Sequence, residues 1–129
     1  PGTERFSTLA GLIPTVAGLA VTIPSEVSHL VVKKSVRAVQ GSGGELLGLV
    51  ENMSGYACPS CWEIGPLFAR EPMGERMAES LGLRFLGSVP FDPRLTRACD
   101  EGLPFVLSHP GTPTARALTK VVEGLGGGL

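Results

Sequence analysis

The chain has 129 residues, with 11 basic and 12 acidic side chains and a formal net charge of −1. That is length for one compact domain, and no basic block exists for a sequence-independent grip on nucleic acid. The longest apolar stretch, 9–23, is broken by Gly11, Pro14 and Gly18, so no membrane span is expected. There is no charged segment leading into a short apolar core, and three cysteines, an odd number, argue against a disulfide framework; a cytoplasmic, reducing compartment is expected. The first residue is Pro1 rather than Met, and we expect the chain to be a piece of something longer.

In chain order, Pro1-Gly2-Thr3 reads as a loop and 6–13 as a short helix ended before Pro14. Residues 16–23 (VAGLAVTI) form an apolar, partly β-branched run stopped by Pro24, which predicts a buried strand. Ser25 can cap a helix over 26–40, with Glu26 in its first turn. Val27, Leu30, Val31, Val32, Val36, Ala38 and Val39 supply its apolar set. His29, Lys33, Arg37 and Gln40 recur on the other face, which predicts a solvated stripe with His29 at the surface. After the Gly41–Gly44 connection, 46–50 (LLGLV) predicts a central strand ending in a polar loop. Met73, Met77 and Leu81 fall at helical spacing and read as core. Residues 83–89 predict a third strand ended by Pro90. Asp92-Pro93 is a cap followed by proline at the first helical position; Leu95, Ala98 and Cys99 would face inward from that helix, and Gly102 ends it. Thr112-Pro113 starts a last helix with the stripe Ala115, Leu118, Val121, Val122 and Leu125. Continuous apolar strands alternating with helices imply an α/β fold, a mostly parallel sheet with helices on both faces. We read 1–129 as a single α/β region.

The chemistry concentrates after the central strand, in Glu51-Asn52-Met53-Ser54-Gly55-Tyr56-Ala57-Cys58-Pro59-Ser60-Cys61. In open α/β sheets, ligands gather at the carboxyl ends of strands. Cys58 and Cys61 at this spacing support three readings. They can hold a metal or iron–sulfur cluster, for which two copies of the chain would complete the usual four thiolates. They can form a redox dithiol, although Pro66 interrupts the helix that such a site would open. Or they can be a structural zinc pair or plain thiols.

The same run resembles the ENMS…CPxC signature of the Mrp/ApbC family of iron–sulfur carrier ATPases, relatives of MinD and ParA. Four other segments fit the resemblance: Pro1-Gly2-Thr3 looks like the end of the family's DxPPGT switch segment, 22–27 (TIPSEV) like the segment after a core strand, 86–93 (LGSVPFDP) like its LGxxPxDP turn, and 102–105 (GLPF) like its GxPF. The resemblance covers nearly the whole chain. It implies the C-terminal part of a doubly wound P-loop NTPase. It further implies that Cys58 and Cys61 are ligands to one [4Fe–4S] cluster bridged by two protomers, that the homodimer meets through the CxxC loop, and that the partners are apo iron–sulfur proteins receiving the cluster. Asn52 and the turn of Pro90, Phe91 and Asp92 would contact the base of ATP, held with Mg in the full-length parent; for Asp92 a helix cap explains the residue without any nucleotide. One departure matters. The family's lysine-bearing phosphate loop is not in this sequence, since Gly41-Ser42-Gly43-Gly44 follows a helix and lacks the lysine. The chain by itself is therefore expected not to hydrolyse ATP. The alternatives are a MinD/ParA-like regulatory ATPase fragment with a structural or zinc-binding CxxC, and a redox dithiol domain.

Overall fold

The computed structural model describes residues 2–68 and 72–126, with side chains from Glu4 onward. Its elements in order are α1 (Gly2–Leu12), β1 (Ala17–Thr22), α2 (Glu26–Gly41), β2 (Glu45–Ala57), β3 (Ile64–Gly65), α3 (Gly74–Ser80), β4 (Phe85–Phe91), α4 (Pro93–Asp100), α5 (Phe105–Ser108) and α6 (Pro113–Gly126). β2 is the centre of the sheet. β1 and β4 each pair with it in parallel, and the two-residue β3 folds back antiparallel on its last residues. The expected mostly parallel α/β sheet is present.

Alternation along β2 builds two layers, because successive side chains leave opposite faces of a strand. Leu49 joins Ala20, Val36, Met77, Ala78 and Leu81 beneath α2 and α3. Val50 joins Leu86, Val89 and Val121 beneath α6. Ala98, Phe105 and Ala115 form a smaller cluster where α4, α5 and α6 meet. The coverage thins toward β1. Leu19 and Val21 point to the α6 side of the sheet, yet α6 does not reach them and both stay exposed.

Several expectations shift. Gly2 and Thr3 lie in α1, not in a loop, while Pro1 is outside the described residues. This helix has little apolar periodicity; its inward anchor is Phe6, whose ring packs over the space left by Gly18 and Gly44. On α2 only Val32, Val36 and Val39 pack inward, at helical spacing, while Val27, Leu30 and Val31 are exposed. Ser25 sits at the N-cap with extended backbone but makes no side-chain cap. His29 is half-buried rather than exposed, and its Nε2 is buried without a hydrogen-bond partner among the described residues. Met73 is exposed at the start of α3, so only Met77 and Leu81 are core. On α6, Val122 faces solvent. Cys99 is exposed, not a buried hydrophobe, because Ala98 takes the inward position on the short α4. The four-residue α5 was not anticipated.

Candidate functional site

The central strand does not stop at Val50. It continues through the whole polar segment to Ala57, so the cysteines stand on a hairpin rather than in a long loop. The polar segment survives as strand because it pairs on two sides, with Glu51 beside Thr22 and Ser88, and Tyr56 beside Phe91 and Gly65. Tyr56 also stacks on Phe91, with ring centroids 6.3 Å apart. Gly55 lets the hairpin close: a Cβ there would lie 2.8 Å from the Gly65 carbonyl oxygen.

Residues 58–63 make the tip. Cys58 N–H donates to the Glu63 carbonyl at 2.9 Å and Trp62 N–H donates back to the Cys58 carbonyl at 2.9 Å. One turn of chain thus carries both cysteines. Trp62 closes it in the left-handed region at φ 64°, and Met53 takes φ 55° on the strand side; such values are uncommon for residues other than glycine. Trp62 and Ile64 are exposed beside the thiols.

The two thiols are electrostatically unequal. N–H groups of Cys61 and Ser60, and then the Cys61 thiol itself, hydrogen-bond to Cys58 and hold its pKa below the ordinary thiol value. For Cys61 the Glu63 N–H pulls the pKa down. The hydrogen bond to Cys58 and the negative charges of Cys58 and Glu63 act the other way, and the balance is upward. Cys61 Sγ lies 3.8 Å from Glu63 Oε2. Cys58 is therefore the readier of the two thiols to ionise, with Cys61 placed to donate to it. Among the described residues no third His, Cys, Asp or Glu joins them in a metal-holding group.

Asn52 and the turn at Pro90–Asp92 lie on neighbouring strands at this same end, since Asn52 pairs with Val89. Asn52 Oδ1 accepts from Met53 N–H at 2.9 Å, which supports the positive φ of Met53. Its Nδ2 has no partner among the described residues. Pro90 is buried and Phe91 half-buried. Asp92 is 1% exposed. Its carboxylate accepts from Arg94 N–H at 3.0 Å, Arg94 Nε at 2.9 Å, Arg94 Nη2 at 2.8 Å and Thr114 Oγ1 at 3.0 Å. Burial pushes its pKa up, but these donors and the Arg94 charge outweigh burial and leave it below the usual carboxylate value. Asp92 is thus the cap of α4 and the bolt between α4 and α6.

Sequence reasoning missed Glu51. Its side chain is fully buried, and its carboxylate accepts from Met73 N–H at 3.0 Å and Gly74 N–H at 2.6 Å. It meets the free N–H groups at the start of α3 from the strand that carries the cysteines. The signal was available: a carboxylate inside an otherwise apolar strand must find donors when buried. Arg94 and Thr114 were missed as well, because the partners of Asp92 come from two helices.

A family model described as ParA, NUBPL iron-transfer P-loop NTPase, matches residues 1–126. An iron–sulfur cluster carrier protein of Saccharolobus solfataricus is 42% identical over 125 residues, covering 95% of this chain and 42% of that protein. The human cytosolic Fe-S cluster assembly factor NUBP2 is 40% identical over 127 residues, covering 95% of this chain and 46% of the relative. Among solved structures, the cell division ATPase MinD of Pyrococcus furiosus superposes with a TM-score of 0.64 at 24% identity, over 86% of this chain and 43% of that one. The chain spans less than half the length of each of these relatives.

Proposed function

Since the chain belongs to the NUBPL iron-transfer P-loop NTPases of the ParA family, we propose that it is the cluster-holding part of an iron–sulfur cluster carrier. The observation that carries this reading is the hairpin tip: two cysteines on one turn, with no group of three metal-holding side chains among the described residues. Two thiolates are half of the four that usually hold a [4Fe–4S] cluster. The donor set fits a cluster shared by two protomers, Cys58 and Cys61 from each. Cys99 is on α4 and outside this set.

The cluster is cargo, and the site has the character that cargo requires. The tip is exposed, so apo iron–sulfur proteins can approach it as recipients. Trp62 and Ile64 give the two protomers an apolar rim to meet on. Cys58 is the thiol readier to bind as thiolate, and Cys61 gives up its proton on binding. The homodimer, the [4Fe–4S] type and a cytoplasmic setting are parts of this proposal. Among the described residues no helix is long and apolar enough to cross a membrane.

ATP with Mg, bound in the longer parent, would supply a nucleotide-dependent change at the same end of the sheet. Here Asn52 is the residue to meet the base, through its unengaged Nδ2, with Phe91 and the backbone at Pro90 as neighbours. Asp92 serves that contact by holding the turn, since both its oxygens are taken. With no lysine-bearing phosphate loop in the sequence, the chain alone should show no ATP turnover.

Anaerobic reconstitution with iron and sulfide tests the reading. About four irons per dimer are expected, with uptake abolished in Cys58→Ala and in Cys61→Ala and retained in Cys99→Ala. Unaltered iron content in Cys58→Ala would sink it, and zinc retained in place of a coloured cluster would favour the zinc-binding alternative.

A further inference from the structure

We infer that Arg94 is a positioning residue for the cargo: its guanidinium, locked by Asp92 beside the cysteine hairpin, supplies the positive charge that offsets a thiolate-bound cluster. This rests on the cluster-carrier reading and goes beyond it, because it names what the second strand end contributes.

The geometry begins with the register of β2 and β4. Tyr56 pairs with Phe91 and the two rings stack at 6.3 Å. Cys58 lies two residues beyond Tyr56, and Asp92 one residue beyond Phe91. Both chains therefore leave the sheet side by side at the same end. Asp92 then fixes the guanidinium as a fork, accepting from Nε at 2.9 Å and from Nη2 at 2.8 Å. The fork holds because the Asp92 side chain is fully buried and also bolted to Thr114. Nη1 has no partner among the described residues, and 21% of the Arg94 side chain remains open to solvent. The charge of Arg94 is raised in stability first by the hydrogen bonds to Asp92 and also by the negative charge of Cys58, which places the two groups within electrostatic reach.

The hairpin otherwise offers the cluster the wrong sign. Glu63 stands 3.8 Å from Cys61 Sγ. Cluster potential depends on net charge and on the groups around the sulfurs. A guanidinium within electrostatic reach of Cys58 favours the more negative, reduced cluster and slows loss of an anionic cargo. Arginine suits this place because the fork leaves it oriented and permanently charged.

The test compares the full chain with Arg94→Gln and Arg94→Lys, each reconstituted anaerobically with iron and sulfide. Two readouts are taken: the rate of iron loss to a ferrous chelator, and the one-electron reduction potential with dithionite and mediator dyes. For Arg94→Gln we expect loss about threefold faster, the scale of a partly screened surface charge. A threefold shift toward the oxidised cluster is a potential lower by about 30 mV. Arg94→Lys should stay near the parent in both. If Arg94→Gln folds poorly, the double variant Asp92→Asn with Arg94→Gln removes both charges together; because the opposing carboxylate charge goes with the guanidinium, both shifts are expected in the same direction and smaller. Unchanged potential and loss rate in a neutral variant, with only a lower unfolding midpoint, would show that Arg94 merely serves Asp92. A lysine variant indistinguishable from glutamine would also overturn the inference. A parent chain that takes up no cluster is a different result, and overturns the carrier reading itself.

Discussion

Two ends of neighbouring strands lie side by side in this molecule and are built on opposite plans. At the end of β4, Asp92 is buried, and its oxygens take donors from its own turn, from the Arg94 guanidinium and from Thr114 of α6. At the end of β2, the chain takes two non-glycine residues into the left-handed region, exposes Trp62 and Ile64, and leaves two thiols with little besides each other and the turn. The first end is complete within one chain. The second has donor atoms and apolar surface that nothing among the described residues satisfies. Polar groups that are internally satisfied hold a fold together, whereas the strained and unsatisfied ones stand where the proposed cluster would bind.

That contrast can be broken most severely at Asp92. Asp92→Ala removes a helix cap, worth about 1 kcal/mol, and strands the buried Thr114 hydroxyl at about 1–3 kcal/mol more. A loss of about 2–4 kcal/mol is expected in urea unfolding. A loss under half a unit would mean that the β4 end is not the closed structure described above.

The next largest effect tests the buried link between the two plans, where Glu51 of β2 receives α3. A Cβ on Gly74 would lie 2.8 Å from the Glu51 carboxylate and 2.9 Å from the Phe85 ring. Gly74→Ala should destabilise by about 1–3 kcal/mol, as overpacking does. It should also loosen the strand that carries the cysteines, which amide hydrogen exchange across 51–57 would register. An exchange pattern identical to the parent would separate α3 from the site.

A smaller and pH-dependent effect sharpens the electrostatic side. The folded pKa of Asp92 lies below its ordinary value. Its contribution is therefore present above the unfolded carboxylate value of about 3.9 and is lost as pH falls through the lower folded one. The stability gap between the parent and Asp92→Asn should hold constant from neutral pH down to about 4 and then narrow on further acidification. A gap that widens in acid would reverse the sign of the argument.

The smallest effect on stability is expected at the hairpin. Cys58→Ala and Cys61→Ala should leave the unfolding midpoint of the metal-free chain where it was, while removing cluster uptake altogether. A large fall in midpoint would make the cysteines structural and erase the difference between the two ends.

Some of this was legible in advance because it depends on neighbours in the chain. The Asp92-Pro93 start of α4 needs only a cap oxygen two residues before the N–H it accepts. The Thr112 cap of α6 is of the same kind, with Ala115 N–H donating to its hydroxyl. Leu49 and Val50 announce a buried strand by their apolar run. The CxxC pair is local too, since one turn brings Cys58 and Cys61 together. The ENMS…CPxC resemblance indicated the family that the match over residues 1–126 then showed.

Where composition misled, a long-range contact had the last word. Residues 51–57 look polar enough for a loop, yet they are strand because Thr22, Ser88, Phe91 and Gly65 supply hydrogen-bonding partners from three other segments. Cys99 and Val27 look inward by periodicity, but α4 packs on its helix neighbours through Ala98 and α2 meets the sheet along the narrow line of Val32, Val36 and Val39, so each buries fewer positions than its pattern offers. By itself the sequence determined the main strands and helices, their order and the pair of thiols, because hydrophobic periodicity, caps and spacing are local physics. Only the tertiary structure decided that the thiols stand on a hairpin tip, that Glu51 is spent on α3, and that Asp92 holds Arg94 at the same end of the sheet as that tip. Each of these is a meeting of different elements: β2 with β3 makes the hairpin, β2 with the start of α3 engages Glu51, and β2 with β4 brings the Asp92–Arg94 turn to the same end of the sheet.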